Sequence, residues 1–291
     1  MGLGNTVQES KYDIYWWYVK KRLEAPSVSH GIIMGGECGF FGNLFMTLNG
    51  IRACEIAKAT PHPLWSHNCL YWDKKYGSNA WDYFFEPFEE LDRSAEGGHR
   101  GWAFKPLATY IHPCYEAMDV QSSYAEIIRR YLKVHNDIAE RVDSFASHHF
   151  GKQEPLGCHM RFTDVSAEYG RAVSLEKYWE AIDFYLDNNE CDKFFVATDD
   201  QEALKATQNR YQGRVAFQAD CIRSCDGRSI HGHYDSGIAA SGYQKGLDVL
   251  TDALLLARCR HLIGISSTIT RFSACVNERQ TQEVLGGHSL W

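Results

Sequence analysis

The chain is poor in proline, with seven in 291 residues, and this excludes a proline-rich linker; no internal repeat or low-complexity run is visible either. No apolar run approaches the ~18 residues that suggest a membrane-spanning helix, so no span is expected. The first thirty residues are polar and aromatic, without the apolar stretch of a secretory signal. Positive charge is also in the minority. There are 30 Lys and Arg against 37 Asp and Glu, a formal net charge of -7. A broad nucleic-acid surface is not expected of such a chain, although local basic groups can hold a small anion. The ten cysteines lack the compact spacing of a disulfide framework and read as reduced thiols of a cytoplasmic protein. Met1-Gly2-Leu3-Gly4-Asn5-Thr6 fits the loose myristoylation pattern, but an ordinary N-terminus is the plainer reading.

What remains is an ordinary globular composition, 44% hydrophobic and 23% charged. The length suits two medium domains or one large one, and the chain is read as an N-terminal α/β domain over 1–150 and a C-terminal one over 151–291. An aromatic segment over 10–23 opens the chain. A strand is predicted at Gly31–Met34, then the glycine-rich turn 35–43, then a helix from Leu44 to Ala59 with apolar residues at helical spacing. Strand, glycine turn and helix form the unit of an α/β nucleotide- or sugar-binding domain, and Gly39 and Asn43 are its candidate donor contacts. The spacing Gly36-x2-Gly39-x2-Gly42 does not match the dinucleotide fingerprint, so a nicotinamide enzyme is a weak reading. Pro61 and Pro63 are expected to stop the helix, with a short strand at Leu64-Trp65. The run 71–88 holds eight aromatic residues. It is either a loop packed over the first domain or the lining of a sugar-acceptor cleft. A long helix is expected over 124–150. The second half alternates strands (156–161, 194–198, 214–218, 261–265) with helices (174–188, 201–210, 247–258, 268–277), the pattern of a parallel sheet covered on both faces.

The chemistry concentrates in that second half. Residues 157–164 read Gly-Cys-His-Met-Arg-Phe-Thr-Asp. Side chains alternate along a strand, so His159 and Arg161 share one side at its C-terminal end, where open α/β sheets bind ligands. Arg161 offers a planar fork of donors suited to phosphate oxygens. Ser266, Ser267 and Thr268 form a hydroxyl-rich strand-to-helix turn, which is either a helix cap or an anion site. Asp252, placed at the start of its helix, can accept from a base edge. The Asp199-Asp200 pair either caps the following helix or positions Arg161. Cys221, Cys225, His231 and His233 do not have a standard zinc spacing, and a mobile loop near the donor site is the better reading.

These motifs carry a resemblance. Gly-Cys-His-Met-Arg-Phe-Thr-Asp, Phe-Val-Ala-Thr-Asp-Asp, Thr-Asp-Ala-Leu-Leu-Leu-Ala-Arg-Cys and Ser-Ser-Thr-Ile-Thr-Arg-Phe resemble the inverting fucosyltransferases related to the bacterial nodulation enzyme and the animal α-1,6-fucosyltransferase. In the N-terminal half, Gly-Phe-Phe-Gly-Asn-Leu and the segment from Leu70 to Pro87 look like the same group. The resemblance implies a GT-B-like fold of two Rossmann-like domains with the active site between them, a GDP-fucose donor, a glycan acceptor and no metal. It implies that Arg161 holds the donor β-phosphate, that His159 and Asp252 contact guanine, and that Ser267 and Thr268 lie near the pyrophosphate. Asp164 matches an Asp of the motif, and Glu168 lies one position from the family's proposed base. Phe162 stands where the animal enzymes have a second Arg, and Val165 where they have Lys. Both thin the positive charge around the donor. The alternatives are another sugar nucleotide, such as UDP-xylose or a GDP-deoxyhexose, or a non-catalytic carbohydrate-binding protein. The natural reading is a soluble bacterial or viral glycosyltransferase.

Overall fold

The computed structural model describes residues 30–87, 102–104, 120–163, 173–230 and 241–286. The aromatic segment 10–23, Gly2, Asp164, Glu168, His231 and His233 lie outside the described residues. The chain divides into two compact units, Met1–Lys133 together with Trp291, and Val134–Leu290. No helix among the described residues is long and apolar enough to cross a membrane.

In the first unit β1 (His30–Met34), α1 (Phe40–Ala57), β2 (Thr60–Leu64) and β3 (Trp102–Phe104) build a parallel sheet in the order β2-β1-β3. Pro61 and Pro63 do not merely follow the helix, as expected from sequence. They lie within β2. Proline cannot donate to a ladder and is tolerated on a sheet edge, and β2 is an edge strand paired only with β1 among the described strands. α1 begins four residues earlier than its apolar spacing suggested, directly after Gly39. Much of the aromatic run is core: Tyr71, Trp81, Phe84 and Phe85 are buried, as is Trp65 just before it. Edge-to-face contacts tie the Phe40 ring to Trp65, Tyr71 and Phe84, with centroids 5.1–5.3 Å apart, the geometry that aromatic quadrupoles favour. The packed-loop reading therefore holds for these four rings of the run.

The expected long helix over 124–150 is two helices, α2 (Val120–Tyr131) and α3 (Asn136–His149). At the break the Lys133 carbonyl accepts from the Glu86 N–H at 2.8 Å, so tertiary pairing interrupts the helix. α3, which the sequence reading put before the domain boundary, packs with the second unit: Val142 and Phe150 join Phe195, Leu255 and Leu256 in one cluster.

The second unit follows with β4 (Leu156–Met160), α4 (Leu175–Asn188), β5 (Phe194–Thr198), α5 (Gln201–Arg210), β6 (Val215–Ala216), α6 (Gly242–Ala257), β7 (His261–Ile265), α7 (Thr268–Val276) and β8 (Thr281–Leu285). All five strands pair in parallel, in the order β6-β5-β4-β7-β8. Alternation sorts the side chains onto two faces. Phe194 and Val196 join the core beneath α4 and α5, whereas Phe195 and Ala197 face α3 and α6. The sequence missed β8, whose residues are only partly buried and lack a continuous apolar run.

Candidate functional site at a sheet switch point

Strand order reverses between β4 and β7. The chain builds outward from β4 through β5 to β6, then returns to place β7 on the other side. Crevices at such reversals, outside the carboxyl ends of the strands, are where doubly wound sheets bind ligands. An open cleft lies at this point, and His159, Arg161, Asp199, Lys245, Asp248 and Asp252 are among its lining residues.

β4 aims its odd-numbered residues toward α6 and α7. His159 is buried, and its Nδ1 lies 3.5 Å from Ser267 Oγ. Gly264 on β7 makes this possible, because a Cβ there would come within 3.1 Å of Thr270 and 3.3 Å of the His159 carbonyl. Two residues on, Arg161 emerges at the strand end on the same side and lines the cleft. His159, Arg161 and Asp252, paired by the sequence across ninety residues, thus meet in one crevice.

The adjacent aspartates divide the two readings offered for them. Asp200 caps α5, accepting the Ala203 N–H at 2.7 Å. Asp199 instead holds the turn that carries Arg161. Its Oδ1 accepts from the Phe162 N–H at 2.9 Å, and its Oδ2 from the Thr163 N–H at 3.3 Å and the Thr163 hydroxyl at 2.7 Å. Burial raises the Asp199 pKa, and these donors together with Arg161 partly offset the rise.

The hydroxyl turn is first of all a helix cap. Ser267 Oγ accepts from the Thr270 N–H at 3.3 Å, and Thr270 Oγ1 accepts from the Ser267 N–H at 3.1 Å. Ser266 Oγ accepts from Arg271 at 3.3 Å. Capping fixes α7 so that its first turn, with Thr268 and Ile269, opens at the end of β7, and Ile269 lines the cleft. N–H groups of a first helical turn have no partner within the helix and favour an anion.

Asp252 is not at a helix start. α6 begins at Gly242, capped by Ser241, whose hydroxyl accepts the Gln244 N–H at 3.1 Å, so Asp252 falls in the third turn. Gly242 and Gly246 disguise the first turn in sequence, and tertiary packing overrides their poor helix propensity. Asp252 Oδ1 accepts from Gln218 Nε2 at 2.5 Å, and Oδ2 lies 3.8 Å from Cys221 Sγ. Burial pushes its carboxyl up to about 6, against the opposing pull of Gln218 and Arg223. Asp248, which the sequence reading passed over, accepts the Ile222 N–H at 2.9 Å and Gln244 Nε2 at 2.7 Å, and burial raises its pKa too. The buried Arg223 guanidinium closes the loop beneath both, donating to the Gln218 carbonyl at 2.7 Å and the Cys221 carbonyl at 3.1 Å. Once α6 is known to start at Gly242, the spacing of Lys245, Asp248, Val249 and Asp252 marks a single helix face. That is the signal that could have found Lys245 and Asp248.

Gly39 and Asn43 belong to the first unit. Asn43 is fully buried. Its Oδ1 accepts the Gly36 N–H at 2.7 Å, and its Nδ2 donates to the Gly36 carbonyl at 3.1 Å and the Cys38 carbonyl at 2.9 Å. Gly39 precedes α1 and has no side chain to cap it, so the Phe40 N–H donates to the Tyr71 hydroxyl instead, at 2.7 Å. The Asn43 amide and the Phe40 N–H after Gly39 are thus taken up by hydrogen bonds within the first unit.

No family model and no curated protein sequence matches the chain. Solved structures do. The NodZ α-1,6-fucosyltransferase soaked with GDP-fucose aligns with a TM-score of 0.59 at 18% identity, over 85% of this chain and 92% of that one. NodZ co-crystallised with GDP gives 0.58 at 18% identity, over 84% and 91%. The fucosyltransferase NodZ from Bradyrhizobium gives 0.57 at 19% identity, over 84% and 92%. The chain has the NodZ fucosyltransferase fold. This agrees with the α/β, GT-B-like class expected from sequence, with a parallel sheet in each unit.

Proposed function

We propose that the protein is an inverting glycosyltransferase that binds a nucleotide sugar in the crevice between β4 and β7 and transfers the sugar to a glycan hydroxyl, with GDP-fucose as the donor. One observation carries this reading. On a NodZ-like fold, Arg161 and the carboxylate of Asp252 line the same switch-point crevice. An ionised Asp252 accepts N–H groups, which guanine presents in a pair along one edge. Arg161 and the first turn of α7 suit the diphosphate. Charge grows on the leaving diphosphate in the transition state, so donors held there beforehand stabilise that state more than the ground state. Asp199 keeps Arg161 in place by binding the two residues after it. A carboxylate of the segment after Thr163, Glu168 or Asp164, takes the proton of the acceptor hydroxyl.

The test is a thermal-shift comparison of GDP, UDP and dTDP followed by a transfer assay with GDP-fucose. A ligand at 100 times its Kd adds about 2.7 kcal/mol to stability, so GDP is expected to raise Tm clearly and the other two to raise it less. UDP stabilising the chain while GDP is silent would move the donor to a uridine sugar. Silence from all three would reject a nucleotide site.

A further inference from the structure

Four residues of α6 face the cleft, Lys245, Asp248, Val249 and Asp252. The two carboxylates already accept from protein donors. Lys245 differs. Among the described residues no acceptor pairs with its ammonium. Asp248, one turn further on, is engaged by Gln244 and the Ile222 N–H. Partial burial lowers the Lys245 pKa, so this ammonium is desolvated without compensation.

Its place along the helix says what it faces. The C-terminal end of α6 packs near the start of β4, since a Cβ on Gly157 would meet Leu256 and Cys259. The N-terminal end therefore reaches toward the C-terminal rim, where Arg161 emerges. Lys245 and Asp252 are seven residues apart, nearly in line on one face and separated by about 10 Å along the axis. That is the span from the base edge of a nucleoside diphosphate to its phosphates. The cleft lining also has three carboxylates, Asp199, Asp248 and Asp252, against the cations Arg161 and Lys245. A dianion entering it draws on both cations.

We propose that Lys245 is a second phosphate-binding residue of the donor site, donating from its ammonium to the diphosphate of a nucleotide whose base lies at Asp252. This rests on the nucleotide-sugar reading and adds a residue that it did not contain. A lysine here supplies a point charge in place of a second guanidinium fork.

Titration calorimetry of the full chain with guanosine and GDP tests it. One charge-assisted hydrogen bond contributes enough that Lys245→Met is expected to weaken GDP by roughly tenfold or more while leaving guanosine unchanged. Lys245→Arg should restore most of the loss. The salt dependence of GDP binding should shrink in Lys245→Met, since a screened cation has been removed. Lys245→Gln repeats the measurement should the methionine variant fold poorly. Wild-type GDP affinity in a folded Met or Gln variant overturns the assignment, as does an equal loss of guanosine and GDP. If the wild-type chain binds GDP and the variants match it, only the role of Lys245 falls. If the wild-type chain binds no nucleoside diphosphate, the nucleotide-sugar reading falls with it.

Discussion

The chain makes the same move twice, from the end of β1 into α1 and from the end of β7 into α7, and the two turns finish differently. At the first, the Asn43 amide and the Tyr71 hydroxyl consume the groups that the turn and helix expose. At the second, Ser267 and Thr270 satisfy each other within the turn, and the end of the helix opens on a cleft lined by Arg161, Lys245 and Asp252. A glycine-rich turn before one helix and a hydroxyl-rich turn before the other both look like ligand cradles in sequence. The difference lies in what the neighbouring side chains have left over once the backbone has been satisfied. Buried polar groups are nearly always paired, so a site is marked by donors and acceptors that face open space, not by polar residues as such.

Four experiments would break or sharpen this contrast. The largest effect is expected at the open turn. Arg161→Ala should cut kcat by roughly 10²–10³, the usual loss for one donor to developing negative charge, with Tm little changed. A near-native kcat would remove Arg161 from the chemistry.

At the closed turn the pattern should invert. Asn43→Ala strands the Gly36 N–H and two carbonyls, at about 3 kcal/mol in all, and chemical denaturation should report the loss while GDP affinity in the remaining folded protein stays unchanged. Lost GDP binding without lost stability would return Asn43 to the donor site.

The third experiment concerns pH. Burial favours the protonated form of Asp252, so the fold itself gains from this group at low pH. That contribution is lost as pH rises from the ordinary aspartate value of about 3.9 through about 6. Base binding needs the ionised form and runs the opposite way, so GDP affinity should fall as pH drops below about 6. Asp252→Asn should bind GDP more weakly at neutral pH and lose this dependence. A flat wild-type profile between pH 5 and pH 7 would show that the carboxylate does not read the base.

The smallest effect separates the adjacent aspartates. Asp200→Ala should cost about 1 kcal/mol of stability, as for other lost N-caps, and leave kcat alone. Asp199→Asn should lower kcat by loosening the 161–163 turn. Equal effects on turnover would dissolve the distinction between them.

Much of the second unit was legible in sequence because its strands are buried on both faces and stand out as apolar runs. Phe194–Thr198 and His261–Ile265 fall where their composition put them. Arg161 was legible through the two-residue period of a strand, and Ser267 through its position before a helix. Lys245 and Asp248 were not, because two glycines hid the first turn of α6. The cores of Tyr71, Trp81, Phe84 and Phe85 could be read as packing or as lining, and only burial decides between those. The prolines of β2 read as helix stops because edge strands tolerate them for a reason local sequence does not carry, namely that one side of the strand has no partner.

Local sequence determined the alternation of buried strands and helices from β4 to α7, the two-sided burial of the second sheet, and the presence of an arginine at one strand end and a hydroxyl turn at another. These depend on side-chain period and backbone preference, which act over a few residues. Tertiary structure decided that β4 and β7 lie side by side, that Asp199 holds the arginine turn while Asp200 caps a helix, and that Asn43 is spent inside the first unit. Those outcomes depend on which distant groups meet, and a buried polar group takes its role from the partner it finds, not from its own identity.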